Sequence, residues 1–383
     1  MARMVLNETS YFGAGCRGEL AGELARRGMK KAFVVSDKDL VKFGVAKKVT
    51  DVLDDAGVAY TLFDDVKANP TIANVQAGLA KFRAYAPDVI VAVGGGSVID
   101  TAKAIAVIAT NPEFADVKSL EGTASTKNRC FPLVAFATTS GTAAEVTINY
   151  VITDEEAGRK LVCVDPNDIP MIAFNDAEML MSMPKGLTAA TGMDALTHAI
   201  EAYITPGATP VSDMMTWNSI KFIADNLEKA VKDGSDAAAR EGMAYGSYVA
   251  GMAFSNVGLG IVHSMAHPLG ARYDIAHGVA NALLLPFVME YNKPAARKKF
   301  GDIARAMGVD VKGMSEEEAA DAAIEAVRKL SKAIGIPQRL TEIGIKEEQL
   351  PQLAEDAFID PCTGGNPRKT SVAEILEIYK KAL

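Results

Sequence analysis

The sequence predicts an α/β first half built on a mainly parallel sheet, followed by an all-helical second half. Three observations carry this expectation. Short, continuously apolar, β-branched runs alternate with amphipathic segments as far as Met181, and such runs suit strands covered on both faces by helices. Beyond Pro184 the texture changes to long stretches rich in Ala, Met, Leu, Glu and Lys. A chain of 383 residues, 49% of them hydrophobic, can also bury a core large enough for two or three domains.

The strand runs, in order, are KAFVVSD from Lys31, VAYTLFD from Val58, DVIVAVG from Asp88, PLVAFAT from Pro132, RKLVCVD from Arg159 and MIAFND from Met171. Helical spacing of apolar residues fills 20–27, 45–56, 72–85 and 98–109 between them. In the second half Pro206, Gly234, Gly260 and Pro294 punctuate the helices. Met243, Met252, Met265, Phe222 and Phe254 fall at helical spacings that predict core positions, and EEEAADAAIEAVRK reads as a solvated helix face. The expected organisation is an α/β domain over residues 1–182 and a helical domain over 183–383. With no internal repeat or long polar linker, the two are expected to share a cleft of the kind that takes small molecules.

Composition excludes several classes of partner. Forty Lys and Arg against 48 Asp and Glu leave a net charge of −8, the wrong sign for neutralising many phosphates, so no nucleic-acid partner is expected. No stretch approaches the run of about 18 apolar residues that a membrane helix needs. The opening MARMVLNETSYFG lacks the apolar run of an export signal, and the four cysteines, at 16, 130, 163 and 362, show no CxxC or close pairing. A reducing cytoplasm is the expected compartment.

Two loops carry phosphate-binding chemistry. VAVGGGSVIDTAKAIAV places Gly94, Gly95, Gly96 and Ser97 between an apolar strand and a helix. Missing Cβ atoms let a pyrophosphate approach the backbone, and the positive end of the following helix faces it. The plainer alternative is a tight turn with Ser97 as the helix cap. The run does not spell GxGxxG, so the standard fingerprint is not what supports a nucleotide here. FATTSGTAAEVT then offers Thr138, Thr139, Ser140, Gly141 and Thr142 after the next strand. Two such loops on neighbouring parallel strands would line the sheet edge where doubly wound folds hold nucleotides. Asp37, closing an earlier strand run, either accepts hydrogen bonds from a ribose diol, favouring NAD over NADP, or simply caps the next helix.

The chain has only four histidines, and all fall in the helical half. Asp194 and His198 are four residues apart, about 400° of helix, which returns both side chains to one face. His263, His267 and His277 lie within fifteen residues of one another in GLGIVHSMAHPLGARYDIAHGVANA. Pro268 and Gly270 are expected to break the helix there, so that His263 and His277 come from successive elements. One carboxylate with two or three imidazoles, and no cysteine nearby, makes a nitrogen and oxygen site suited to ferrous iron or zinc, where an open position polarises a carbonyl.

At these residues the sequence resembles the iron-dependent (group III) alcohol dehydrogenases. The likeness is carried by GGGSVIDTAKA, TTSGTAAEVTINYVITDEE, KLVCVDPNDIP, ATGMDALTHAIEAYIT, YVAGMAFSNVGLGIVHSMAHPLGA, AHGVANALLLP and CTGGNPR, and spans nearly the whole chain. The resemblance implies a dinucleotide-binding α/β domain, a helical metal-binding domain and NAD(H) as cofactor. It implies Fe2+ held by Asp194, His198, His263 and His277, with Zn2+ as the other metal the ligands accept. It gives Gly95, Gly96 and Ser97 to the pyrophosphate, Thr138, Thr139 and Thr142 to the nucleotide, and Asp37 to the adenosine ribose. Asn69, Asn149, Phe254 and Cys362 fall near nicotinamide and substrate, and His267 is a proton relay or a nicotinamide contact. Ala137 and Ala276 stand where relatives commonly carry proline, a change that removes no ligand. The implied activity is reversible NADH-linked reduction of a small aldehyde, with lactaldehyde to propane-1,2-diol first and 1,3-propanediol or simple primary alcohols as the alternative. A dehydroquinate synthase-like lyase is the alternative of another class. A homodimer is implied, in which VLNETSYFG could pair across a two-fold axis.

Overall fold

In the computed structural model, which describes residues 3–383, the strands are β1 (Thr9–Phe12), β2 (Lys31–Val35), β3 (Ala59–Phe63), β4 (Val89–Gly94), β5 (Gly122–Thr123), β6 (Leu133–Ala137), β7 (Asn149–Asp154), β8 (Arg159–Val164) and β9 (Ile172–Asn175). Between them run α1 (Glu19–Arg26), α2 (Lys38–Lys42), α3 (Lys47–Asp55), α4 (Ile72–Tyr85) and α5 (Gly96–Thr110). Six strands form one sheet in the order β1-β9-β6-β4-β2-β3, every pair parallel. Side chains alternate across it. Phe33, Val35, Ile90 and Ala92 pack in one core with residues of α4 and α5, while Ala32, Val34, Val89 and Val91 pack in another with residues of α1 and α3. Each such fully buried Val, Ile or Phe stabilises the fold by about 1.5–3 kcal/mol.

The chain leaves β2 for β3 at the sheet's edge, then returns through α4 to β4 on the other side of β2 and continues outward to β6 and β9. The strand order therefore reverses between β2 and β4. In doubly wound sheets such a reversal is where the loops after neighbouring carboxyl ends diverge and ligands bind.

One expectation about the sheet needs correction. The RKLVCVD run is β8, which lies outside the main sheet, antiparallel to β7 and parallel to β5. Burial along β7 and β8 alternates residue by residue, as in a sheet with one packed face, whereas β4 and β6 are buried throughout. The segment VLNETSYFG contributes β1, which pairs with β9 of its own chain, Thr9 opposite Ile172.

The second half is helical: α6 (Lys185–Ile204), α7 (Pro210–Lys232), α8 (Ala237–Val257), α9 (Ile261–Tyr273), α10 (His277–Ala306), α11 (Glu316–Ala333), α12 (Leu350–Phe358) and α13 (Val372–Ala382). The chain divides into two units. One comprises Arg3–Thr139 with Ala143–Met183; the other comprises Pro184–Leu383 and takes in Ser140–Thr142, where Gly141 lies against Thr191 of α6. Thr142, expected among the α/β loops, therefore stands with the helical unit. Within that unit α6 is buried almost all round, as a central core helix should be. Capping boxes at Thr209/Ser212 and Ser315/Glu318 start α7 and α11.

Pro268 does not end a helix, because α9 runs through it to Tyr273 and stops at Asp274, in the left-handed region at φ 54°. Proline in a helix interior costs about 3 kcal/mol, and burial of Ile261, Val262, Met265, Ala266 and Leu269 around it outweighs that cost. Phe222, expected in the core, is 39% exposed and stacks on Tyr245 instead. Among the described residues no single helix is long and apolar enough to cross a membrane; only α8 and α9 taken together, bent by 102°, reach that composition.

Candidate functional site

The two glycine- and threonine-rich loops meet because their strands are neighbours. Gly94 of β4 is paired with Ala137 of β6, and the Thr138 N–H donates to the Gly94 carbonyl at 3.1 Å. Gly95, not Ser97, is the cap residue of α5, and no side chain caps it; Ser97 lies within the first turn. A Cβ on Gly95 would stand 3.1 Å from Cγ2 and 3.2 Å from Oγ1 of Thr139. The site thus offers Gly95, Gly96 and Ser97 at the positive end of a fifteen-residue helix, with Thr138 and Thr139 beside them, which is anion-binding chemistry.

Asp37 stands two residues beyond the end of β2, on the other side of the reversal. Its carboxylate accepts from the Leu40 N–H at 2.8 Å and caps α2, and burial raises its pKa somewhat. Asn69, at φ 55°, accepts from Lys160 Nζ at 2.7 Å through Oδ1. Asn149 opens β7, and its carbonyl accepts from the buried Lys103 Nζ at 2.9 Å. These two asparagines are tied to lysines of the α/β unit.

In the helical unit Asp194, His198, His263 and His277 converge, each offering one ligand atom within 4.8 Å of every other. Asp194 and His198 share a face of α6, His263 sits in the first turn of α9, and His277 begins α10. The start of α10 approaches α6 so closely that a Cβ on Gly278 would stand 2.4 Å from the Ala190 carbonyl oxygen. Asp194 Oδ1 lies 3.9 Å from His263 Nε2 and 3.6 Å from His277 Nε2, and Asp194 Oδ2 lies 4.0 Å from His198 Nδ1. The rings of His198 and His263 stack at 4.5 Å, and Phe254 covers the other face of His198 at 4.1 Å.

Two atoms in this cluster decide what it can hold. His198 Nδ1 and His263 Nε2 are buried and have no hydrogen-bond partner in the protein. Buried polar atoms without partners are costly, and a cation among three imidazoles and a carboxylate would satisfy both at once. Burial holds His198 below the usual imidazole range, and burial together with the neighbouring histidines holds His263 well below it. Both rings are accordingly neutral at pH 7, the form in which imidazole binds metal. The residues fit a divalent metal.

Three side chains that sequence reasoning did not single out complete the surroundings. Glu201 Oε2 lies 2.5 Å from His263 Nδ1, and Asn281 Nδ2 donates to Asp194 Oδ1 at 2.7 Å. Asp360 Oδ2 lies 2.7 Å from His267 Nδ1. Cys362 belongs to this last group, within ligand distance of His267 and Asp360, and burial pushes its thiol well above the ordinary value. Glu201 was legible in principle, being one turn beyond His198 on the stripe that begins at Asp194. Asp360 was not, since 93 residues separate it from His267.

Both halves of the sequence match a single family. Residues 7–177 match the iron-containing alcohol dehydrogenases, and residues 188–383 match the C-terminal part of the Fe-containing alcohol dehydrogenase family. The chain belongs to the iron-containing alcohol dehydrogenase family. It is 56% identical to the lactaldehyde reductase of Escherichia coli over 380 residues, 99% of each chain. The crystal structure of a 1,3-propanediol oxidoreductase superposes with a TM-score of 0.97 at 45% identity, over 100% of both chains. A sulfoacetaldehyde reductase from Bifidobacterium kashiwanohense, solved in complex with NAD+, superposes with a TM-score of 0.89 at 29% identity, over 100% of this chain and 98% of that one. As a member of this family the chain is an alcohol dehydrogenase, and the lyase alternative has no support in either half.

Proposed function

We propose that this iron-containing alcohol dehydrogenase interconverts lactaldehyde and propane-1,2-diol with NAD(H), at a metal held by Asp194, His198, His263 and His277. The observation that carries the chemistry is the buried carboxylate and three-imidazole cluster with two unpartnered nitrogens. The substrate rests on the 56% identity to lactaldehyde reductase across 99% of both chains. The 1,3-propanediol relative, at 45% identity, supports simple primary alcohols and diols as further substrates.

Bound at these residues, Fe2+ or Zn2+ would act as a Lewis acid on the carbonyl oxygen, and NADH would supply the hydride. The protein's part is charge, position and dryness. One carboxylate with three neutral imidazoles leaves a divalent site with a net charge of about +1, which stabilises a developing alkoxide. Phe254, 4% exposed and stacked on His198, holds that ring and keeps water from it. His267 Nδ1 is tied to Asp360, so its Nε2 can exchange a proton with the alcohol and pass it outward. Gly95, Gly96 and Ser97 at the start of α5 would take the pyrophosphate, Thr138, Thr139 and Thr142 the rest of the nucleotide, and Asp37 the adenosine ribose. Asn69, Asn149 and Cys362 are assigned to the nicotinamide and substrate end.

The enzyme is further proposed to be cytoplasmic and homodimeric. β1 is an edge strand of the sheet, and Leu6 and Phe12, at the two ends of its segment, are 38% and 40% exposed, apolar surface that a second copy would cover. Light scattering should return the mass of two chains; one chain's mass would sink the dimer.

The test of function is anaerobic NADH oxidation with lactaldehyde, using chelated protein reloaded separately with Fe2+ and Zn2+, beside propanal and NADPH controls. Iron-restored, NADH-selective turnover favouring lactaldehyde is expected. Absence of turnover with every metal would overturn the reading.

A further inference from the structure

We propose that Glu201 is the positioning residue that sets the tautomer of His263 and thereby the metal affinity of the cluster. The inference rests on the reading of Asp194, His198, His263 and His277 as a metal site.

Glu201 follows Asp194 and His198 at the next turns of α6 and is 3% exposed. Its two oxygens have different tasks. Oε1 accepts from the Val262 N–H at 2.7 Å, in the first turn of α9, while Oε2 faces His263 Nδ1 at 2.5 Å. Its carboxylate reaches the helix end only because Gly260 caps α9. A Cβ at that position would stand 2.9 Å from Glu201 Oε1 and 3.1 Å from Asn366 Oδ1. The Val262 N–H is a fixed donor, whereas an imidazole can carry its proton on either nitrogen. The ionised carboxylate, the form that a cation held by His263 favours, accepts at both oxygens and keeps the proton on Nδ1. That leaves the Nε2 lone pair toward Asp194, where His263 Nε2 has no protein partner.

The isosteric amide tests this, because it has one acceptor where the carboxylate has two. In Glu201→Gln the amide oxygen must stay on the Val262 N–H, so its NH2 group faces His263 Nδ1. His263 Nδ1 then keeps a partner only if the ring moves its proton to Nε2, which points N–H at the position a metal would occupy. The variant should therefore fold normally without metal and bind metal poorly.

Competition against a chromogenic chelator would give Zn2+ affinity aerobically and Fe2+ affinity anaerobically. A loss of about 10- to 100-fold is expected in the variant for both, with the metal-free thermal midpoint unchanged. With four histidines in the chain, nitrogen-15 NMR of labelled imidazoles would read the tautomers directly. Nδ1–H is expected at His263 of the wild type and Nε2–H in Glu201→Gln. Affinity within twofold of wild type, or a wild-type His263 protonated on Nε2, would overturn the inference, and the second result stands whether or not the variant folds. Failure of the wild type itself to bind either metal would instead overturn the metal-site reading on which the inference rests.

Discussion

His267 Nδ1 lies 2.7 Å from Asp360 Oδ2, while Oδ1 of the same carboxylate accepts from the Cys362 N–H at 2.9 Å. Burial alone would push the Asp360 carboxyl up, but the charge and hydrogen bond of His267 outweigh it and hold it below the ordinary value. The contact turns Nδ1 of His267 toward Asp360 and Nε2 away from it, with the ring stacked on His277 at 5.4 Å. Asp360→Asn removes one of two acceptors and should lower kcat by about 10- to 100-fold, a fraction of what a positioned acid or base contributes. Metal content should stay at the wild-type value. Steady-state kinetics with metal analysis of the same samples checks it, and an unchanged kcat would leave Asp360 a loop anchor only.

Loss of His263 and loss of His277, two of the proposed metal ligands, should not be equivalent. The His263 side chain is 2% exposed and holds the buried Glu201, whereas His277 is 31% exposed at the start of α10. His263→Ala removes a proposed ligand and one hydrogen-bond partner of the buried Glu201, a loss of about 1–3 kcal/mol. His277→Ala removes a ligand at a wetter position and should cost less than about 1 kcal/mol in the metal-free protein. Both variants should lose bound metal and turnover, but only His263→Ala should show a clearly lowered denaturation midpoint without metal. Equal midpoints would contradict the different roles assigned to the two rings.

Much of this site was legible before any coordinates, for a physical reason. Asp194 and His198 meet through helix periodicity alone, and the glycine loop lies where a buried strand must hand over to a helix. What sequence could not give depends on contacts between distant segments. Asp360 reaches His267 across 93 residues, and β8 joins a separate sheet through pairing with β7. Pro268 misled because local backbone preference predicts a break, while the buried apolar residues on either side of it hold α9 together. Phe222 misled because helical spacing fixes a face but not whether a neighbouring helix covers it; at 39% exposure, none does so fully.

Asp37 caps α2 and is proposed to meet the adenosine ribose, two roles that substitution can separate. Its carboxylate caps α2 through the Leu40 N–H, and a cap is worth about 1 kcal/mol. Its negative charge would also repel the 2′-phosphate of NADPH. Asp37→Ser keeps a capping oxygen and removes the charge, so stability should change by less than about 0.5 kcal/mol while the NADH to NADPH ratio of kcat/KM falls at least tenfold. Asp37→Ala should make the same cofactor change and lose the cap as well. A ratio unmoved in both would confine Asp37 to capping.

Glu145 gives stability a pH dependence of unusual sign for a carboxylate. It is 3% exposed, and burial pushes its pKa from the ordinary 4.5 up to about 7, against the smaller lowering effects of its own backbone N–H and of Lys103. Between those values the folded chain binds the proton and the unfolded chain does not, so this group's stabilisation is complete below the unfolded pKa and is lost as pH rises through about 7. Glu145→Gln should remove that dependence while keeping the shape of the side chain. The variant should match the wild type near pH 4.5 and be increasingly more stable than it from pH 5 to pH 8. The gap should grow to about 1–3 kcal/mol, each unit of displaced pKa being worth about 1.4 kcal/mol. Denaturation midpoints of both proteins across that range measure the difference directly, with every other titrating group cancelling between them. A gap constant with pH would mean that Glu145 stays ionised in the folded chain, and a gap that shrinks would reverse the sign argued from its burial.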